Sequence, residues 1–441
     1  MLDKKYILEN INLIQKSAKN KGFKIDLHDF QKLNTEISHL KTEYEKQLAE
    51  KNRLSKEIGK GFIKDVNSGD ESDKAKGKFE EFKNLVKRSK EATKLAKSID
   101  KELLDKEESF KEIMLHIPQV HFDDAPIGSD DSGNVVIKTV GKKTDFNFIP
   151  KDHYDLLEAN DWADFSITNI TGPRAYSLKG EMARLELAIH LFILDKLTAE
   201  GFTQFTVPAL CKPQAIYDAG HFPGSDLNDL KDDVYFLNET DLCLAGTSEI
   251  VLNSLHKNQI LDGKSLPKLY AGYSPAFRKE SGASGKDTRG LVRVHQFSKV
   301  EQFVFCKVGE SQKYFDKLLG ILESVMQDLE LPYQLLETCS GDMGFNKIRM
   351  IDVEAWVPTQ KKYRELGSCS MIGDFQSRRT NTRYRGADGN GKVSFAETLN
   401  NTGIATPRVL APLIENHQRE DGKIKIPTKL QPYMNGKKTI G

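Results

Sequence analysis

Nothing in this sequence resembles a membrane span: no apolar run approaches the roughly 18–20 residues needed to cross a bilayer. The first twenty residues, MLDKKYILENINLIQKSAKN, carry Asp3 and Glu9 and no clean apolar core, so they make a poor secretory signal or presequence. The formal net charge is only +1, so no partner can be argued from total charge and any electrostatic case must be local. The five cysteines (Cys211, Cys243, Cys306, Cys339 and Cys369) are odd in number, scattered and never spaced C-x-x-C. That pattern points to buried thiols in a reducing cytoplasm and away from disulfides or a structural zinc. A Walker loop is missing too. Gly285-Lys286 is followed by Asp287, not Ser or Thr, and Glu280 stands where the first glycine belongs.

What is present divides in two. From Phe30 the apolar positions run Phe30, Leu33, Ile37, Leu40, Tyr44, then Leu54 and Ile58, in steps of three and four. After a polar break the register returns through Phe82, Leu85, Ala92, Ala96, Ile99, Leu103, Phe110 and Ile113, and Pro118 ends it. Asn67, Ser68 and Gly69 supply turn chemistry between. The pattern predicts one antiparallel helical hairpin, about 27–60 out and 72–117 back, with arms reaching roughly 50–65 Å. Between Lys51 and Lys106 it holds 16 Lys and Arg against 11 Asp and Glu. A basic, thinly packed hairpin that buries little of itself suits phosphate neutralisation along a nucleic acid. The domains expected are 1–117, this arm, and 118–441, a second part of short strands and helices.

In that second part, GEMARLELAIHLFILDKLTAEGF reads as a helix apolar nearly all round, fit for a core or a subunit interface. TQFTVPAL follows as a strand whose Pro208 favours an edge. KLYAGYSPAFR and VRVHQFSKVEQFVF flank a loop with Gly282, Gly285 and Gly290, and predict two antiparallel strands. Alternation then sets Arg278 and Glu280 on one face, with Arg293, Phe297 and Glu301 on one face of the partner. Guanidiniums clamp phosphates, an aromatic ring stacks on a purine, and a carboxylate accepts from an amino group. A salt-bridged surface hairpin would use the same charges, but not Phe297. Glu365 and Ser368 in YRELGSCSMIGDFQSRRTNTRYR are oxygen donors suited to Mg²⁺ on a nucleotide. ETLNNTGIATPRVLAPLIENHQREDG predicts a strand, a turn at Asn400, Asn401, Thr402 and Gly403, and a helix from about Pro407 with Arg408 at its start. AGTSE offers Thr247 and Glu249, suited to a hydroxyl and an ammonium.

Taken together, FRKESGASGKDTRGLVRVHQFSKVE, SCSMIGDFQSRRTNTRYR and TLNNTGIATPR resemble the motifs of the seryl-tRNA synthetases of bacterial type, a class II aminoacyl-tRNA synthetase family; the likeness runs from NRLSKEIG to IPTKLQPYM. The resemblance implies an α+β protein: an N-terminal antiparallel helical-hairpin coiled coil, plus a class II synthetase catalytic domain, an antiparallel sheet flanked by helices. It implies activation of L-serine with ATP and Mg²⁺, then transfer to tRNA(Ser), with tRNA(Sec) left open. The site it implies has catalytic Arg278, Arg293 and Arg408. Arg278 holds the α-phosphate, Glu280 meets the ATP side, and Arg293 reaches the γ-phosphate. Phe297 and Arg408 sandwich adenine, and Glu365 and Ser368 hold the metal. Thr247, Glu249, Glu301, Asn400 and Thr402 line the serine pocket. A cytoplasmic homodimer without structural zinc is implied as well. Ser370-Met371-Ile372-Gly373 and GFNKIRMIDVEAW depart from the family's usual wording without replacing any of these residues. A catalytically reduced paralogue acting as a tRNA-binding or regulatory module is the alternative; it would be marked by loss of Arg278, Glu301 or Arg408, and all three are present.

Overall fold

The structure is a computed structural model that describes residues 1–65, 73–224, 227–281, 290–386 and 391–441. Asn67, Ser68, Gly69, Gly282 and Gly285, expected in turns, lie outside the described residues. The chain forms two compact units: Asp26–His116, and Met1–Ile25 together with Ile117–Gly441.

The first unit is the hairpin. Helix α1, His28–Asp65, and helix α2, Asp73–Leu115, pair along the a/d seam. Phe30 and Phe110 stack with ring centroids 4.8 Å apart. Ion pairs Glu36–Lys106 and Lys41–Glu107 near the base and Glu50–Arg88 farther out, each 2.7 Å, match higher numbers on α1 with lower numbers on α2 along the arm, as an antiparallel pairing requires. These exposed pairs set alignment more than stability. The seam is thin where Ala92 and Ala96 are the buried partners.

The second unit is built on one eight-stranded sheet. In chain order its strands are β1 Val135–Val140, β2 Thr203–Thr206, β3 Lys268–Phe277, β4 Gln296–Cys306, β5 Tyr333–Glu337, β6 Arg349–Val357, β7 Lys362–Gly373 and β8 Glu397–Ala405. Their spatial order is β1-β5-β6-β7-β8-β4-β3-β2. Every pair is antiparallel except β2 with β3, the edge where Pro208 follows the strand. One sheet face is apolar. Val300, Val304, Val353, Leu399 and Ile404 pack there against helix α3, Gly180–Ala199, helix α4, Ser311–Asp328, and helix α6, Thr406–His417. Helix α4 shows why: Phe315, Leu318, Leu322 and Val325 recur at three- and four-residue spacing and are buried, while its other side is charged. Helix α3 buries Leu185, Ile189 and Ile193, but its opposite side leaves Leu187 and Leu191 exposed in the single chain.

The first 25 residues cluster by contacts with the second unit. Their two short helices, Lys4–Glu9 and Ile11–Asn20, lead to Lys21, whose buried ammonium donates to the carbonyls of Gly344 (2.9 Å) and Lys347 (2.5 Å). Asp3 pairs with Arg378 at 2.9 Å on the short helix α5, Phe375–Thr380.

Two local expectations change. The segment Asn400–Gly403 is no turn; β8 runs through it between β7 and β4, in the middle of the sheet, with a bulge at Gly403. A turn there would strand backbone groups that the two flanking ladders satisfy. The strand predicted from Val292 begins only at Gln296, so Arg278, Glu280 and Arg293 stand just beyond the strand ends and not on the alternating faces.

Candidate active site

The other sheet face carries a polar cavity of about 230 Å³. Thr247, Glu249, Arg278, Glu280, Arg293, Phe297, Glu301, Glu365, Ser368, Asn400, Thr402 and Arg408 all line it, so every site residue expected from the sequence comes to one place.

Backbone periodicity does most of this. On β4, alternation presents Phe297, Lys299 and Glu301 to the cavity and buries Val300 beneath. On β8 it presents Asn400 and Thr402; the bulge at Gly403 then lets Ala405 face the same way as Thr402. On β7, Val353 pairs with Gly367 but Glu354 pairs with Glu365, so Leu366 is the extra residue of a bulge. Glu365 and Ser368, three apart, thereby share a face. Gly367 is needed for a separate reason: a Cβ there would meet the Thr402 Cβ at 2.5 Å. Arg408 extends from the first turn of α6. Glu280 sits at φ 56°, a left-handed conformation that a non-glycine residue enters at some cost.

At one end of the cavity, Glu249 is a buried carboxylate held by neutral amides. Gln376 donates to its Oε1 at 2.8 Å and Asn400 to its Oε2 at 2.5 Å. Gln376 is itself fixed on all sides, donating also to the Ala219 carbonyl (2.9 Å) and accepting from the Thr398 hydroxyl (2.7 Å). Glu301 is in ion-pair contact with Lys299, whose ammonium also reaches Thr247 Oγ1 at 3.3 Å. Burial pushes the Glu301 carboxyl up, against the pull of Lys299.

At the other end the acids and bases are paired with each other. Arg293 meets Glu280 at 3.2 Å and Arg408 meets Glu365 at 2.7 Å. Burial raises Glu365, but Arg408 above all, with Arg278 and Lys347, more than offsets it and holds the carboxyl below its ordinary value. Glu365 in turn raises Arg408. Arg278 has no acid in direct ion-pair contact among the described residues. Its Nε donates to the Gly246 carbonyl at 3.2 Å, and its guanidinium lies 5.3 Å from the Phe297 ring centroid. Burial, with Arg408 nearby, draws its pKa down. So Arg278, not Arg408, is the cation against Phe297 here. Ser368 Oγ is 3.4 Å from Glu365 Oε1, and the cross-strand Asp352 keeps a buried Oδ1 without a donor.

Several lining residues escaped the sequence reading: His221, Lys299, Lys347 and Ser370. Lys299 and Ser370 lay one strand period from Glu301 and Ser368, so alternation could have found them. His221 and Lys347 come from loops and carried no such signal.

The comparisons with known proteins agree with one another. Residues 1–121 match the seryl-tRNA synthetase N-terminal domain, and residues 234–417 match the tRNA synthetase class II core domain (G, H, P, S and T). A serine–tRNA ligase of Deinococcus radiodurans is 39% identical over 444 residues, spanning 100% of this chain and 99% of the relative. One of Trichlorobacter lovleyi is 38% identical over 438 residues, spanning 99% of each chain. Among solved structures, seryl-tRNA synthetase from Pyrococcus horikoshii complexed with ATP aligns with a TM-score of 0.84 at 35% identity, over 100% of this chain and 99% of that one. Cytoplasmic serine–tRNA ligase from Naegleria fowleri in complex with AMP aligns at 0.85 with 28% identity, over 100% and 98%.

Proposed function

The chain belongs to the seryl-tRNA synthetase family of class II aminoacyl-tRNA synthetases, and from that premise we propose that it joins L-serine to ATP as seryl-adenylate and passes the seryl group to the 3′ end of tRNA(Ser). One observation carries the reading: a single cavity joins a small polar pocket, Thr247, Glu249, Glu301, Asn400 and Thr402, to a Phe297, Arg278 and Arg408 end suited to a nucleotide.

Serine binds with its ammonium toward the buried carboxylates and its hydroxyl toward Asn400 and Thr402. A pocket that hydrogen-bonds this hydroxyl rejects alanine, because its own groups would be left unpaired. ATP lies with adenine against Phe297. Arg278 takes the α-phosphate, since its charge is not already matched by an acid in contact. Arg293 exchanges Glu280 for the γ-phosphate, and Arg408 exchanges Glu365 for the adenine face. The serine carboxylate then attacks the α-phosphorus in line and pyrophosphate leaves; later the terminal ribose of the tRNA attacks the adenylate carbonyl. Positioning and preorganised charge do the catalysis, with no covalent enzyme intermediate.

Glu365 and Ser368 suit a Mg²⁺ on the nucleotide: both are hard oxygen donors on one face, with the unpartnered Asp352 oxygen beside them. When bound, the ion neutralises phosphate charge. Manganese binding read by electron paramagnetic resonance, in the protein and in Glu365→Gln, tests this apart from activity.

The basic hairpin serves the tRNA. A homodimer forms through α3 and the β2 edge that follows it, supported by exposed Leu187 and Leu191 on α3. The enzyme works in the cytoplasm, in keeping with five free buried thiols. Among the described residues no helix is long and apolar enough to cross a membrane. The reduced-paralogue alternative is disfavoured by the joint presence of Arg278, Glu301 and Arg408 in the cavity. Pyrophosphate exchange with serine, threonine, alanine and glycine, followed by charging of tRNA, is the deciding experiment. Exchange with serine far above the other three supports the reading; absence of exchange with serine overturns it.

A further inference from the structure

Strand β4 presents three side chains to the cavity in sequence: Phe297, Lys299 and Glu301. At roughly 3.4 Å per residue, Phe297 and Glu301 are about 14 Å apart along the strand and Lys299 stands midway. If Phe297 meets the base and Glu301 the amino acid, the midpoint is where amino acid and nucleotide are joined.

The charges there are unequal. Glu249 is held by the amides of Gln376 and Asn400 (2.8 and 2.5 Å), with His221 Nε2 3.4 Å from its Oε2, so among the described residues its negative charge meets no Lys or Arg in contact. Lys299 is buried, touches Glu301 and reaches Thr247 Oγ1 at 3.3 Å. An ammonium has three donors; the third has no partner among the described residues. An amino acid arriving as a zwitterion brings an ammonium, which the two carboxylates can accept, and a carboxylate, which they repel. That carboxylate must then approach an α-phosphate of the same sign. Arg278 answers the phosphate, and nothing assigned so far answers the carboxylate.

We propose that Lys299 is a substrate-binding residue of the activation step, its ammonium receiving the carboxylate of serine between the serine pocket and the α-phosphate held by Arg278. The inference rests on the serine-activating function proposed above. In the step itself a carboxylate oxygen forms the new bond to the α-phosphorus. The bond from that phosphorus to the bridging oxygen breaks, and its electron pair leaves with pyrophosphate. Lys299 donates hydrogen bonds and gives up no proton.

The bland role for Lys299 is to hold Glu301 in place. The two roles differ toward a ligand that keeps the ammonium and hydroxyl but lacks the carboxylate, and serinamide is that ligand. In pyrophosphate exchange with the full chain, Lys299→Met should raise the serine KM roughly ten- to hundredfold, the range of a charge-assisted bond. Its ATP KM should stay within about threefold, and the inhibition constant of serinamide should match that of the unaltered protein. Lys299→Arg should recover much of the serine affinity. Equal weakening of serine and serinamide would show that Lys299 acts only through Glu301 and would overturn the proposal; so would an unchanged serine KM. Should the methionine variant unfold, Lys299→Gln takes its place, since it keeps a polar stem without the charge, and an unaltered ratio of serine KM to serinamide inhibition constant in that variant overturns the idea. Failure of the unaltered protein to exchange with serine at all would sink the proposed function instead, and is recognisable before any variant is made.

Discussion

Replacing Gln376 by leucine probes the amino-acid end of the cavity at a residue that touches no nucleotide-side group. Gln376 is fully buried and each of its polar atoms is used: two hydrogens go to Glu249 Oε1 and the Ala219 carbonyl, and its oxygen accepts from Thr398. Leucine has nearly the same bulk and none of these partners. The contact to the carboxylate is worth about 1.5–3 kcal/mol and the two neutral ones about 1 kcal/mol each. The variant should therefore lose about 4 kcal/mol of catalytic-unit stability and remain folded at 25 °C only with a reduced margin. The Glu249 share is the one that reaches function, since a carboxylate no longer held at Oε1 can turn away from serine. That share corresponds to a serine KM raised about ten- to hundredfold at 25 °C in pyrophosphate exchange, with the ATP KM within about threefold. Circular dichroism at the assay temperature establishes folding. A folded Gln376→Leu protein with an unaltered serine KM would refute the view that this amide aims Glu249 at the substrate.

Arg278→Ala should lower exchange about a hundredfold or more, roughly 3 kcal/mol of transition-state stabilisation, and normal exchange in a folded variant would remove Arg278 from the catalytic set. Thr402→Val keeps shape and deletes a hydroxyl, so the serine-over-alanine ratio of kcat/KM should narrow by about 1–3 kcal/mol; an unchanged ratio means the hydroxyl is read elsewhere. Replacing residues 46–97 by a short turn keeps the base of the seam, with Phe30, Ile37, Ile99 and Phe110. Adenylate formation should survive while tRNA charging collapses and the salt slope of residual tRNA binding flattens, and full charging by the truncated protein would contradict the arm's assignment. Burial pushes His190 down to about 4. The unfolded chain then takes up the proton first, so stability should fall as pH drops from about 6.5 towards 4, by up to about 3 kcal/mol, and His190→Phe should flatten that limb of the unfolding profile.

The hairpin was legible because its signal is local: a seam repeating every three or four residues needs no knowledge of the rest of the fold. The residues that line the cavity were legible because motif wording groups them, although the backbone that delivers them departs from the expected strand and turn. Asn400 to Gly403 looked like a turn since polar residues with glycine usually face water. Here Asn400 and Thr402 face a cavity in the middle of a sheet, with Leu399 and Ile404 in the core beneath. The Leu366 bulge that brings Glu365 and Ser368 to one side leaves no trace in composition. Nor does the attachment of residues 1–25, which depends on Lys21 finding two loop carbonyls more than three hundred positions away. Lys299 lies one strand period from both Phe297 and Glu301, so simple alternation is enough to place it on their face.

Strand β8 passes into helix α6 with nothing between them, Ala405 ending one and Thr406 starting the other. Asn400 and Thr402, proposed to meet the amino acid, and Arg408, proposed to meet the nucleotide, are thus marks on one stiff ruler. Loop lengthening, the commonest way for a protein to retune a binding site, has no purchase here. Loss of one residue between 398 and 405 would turn strand side chains to the opposite face and swing the helix by about 100° relative to them. Change of substrate along this element can therefore come only by exchanging one side chain for another of fitted size, which keeps such a site close to a small amino acid and makes its drift toward larger ones slow.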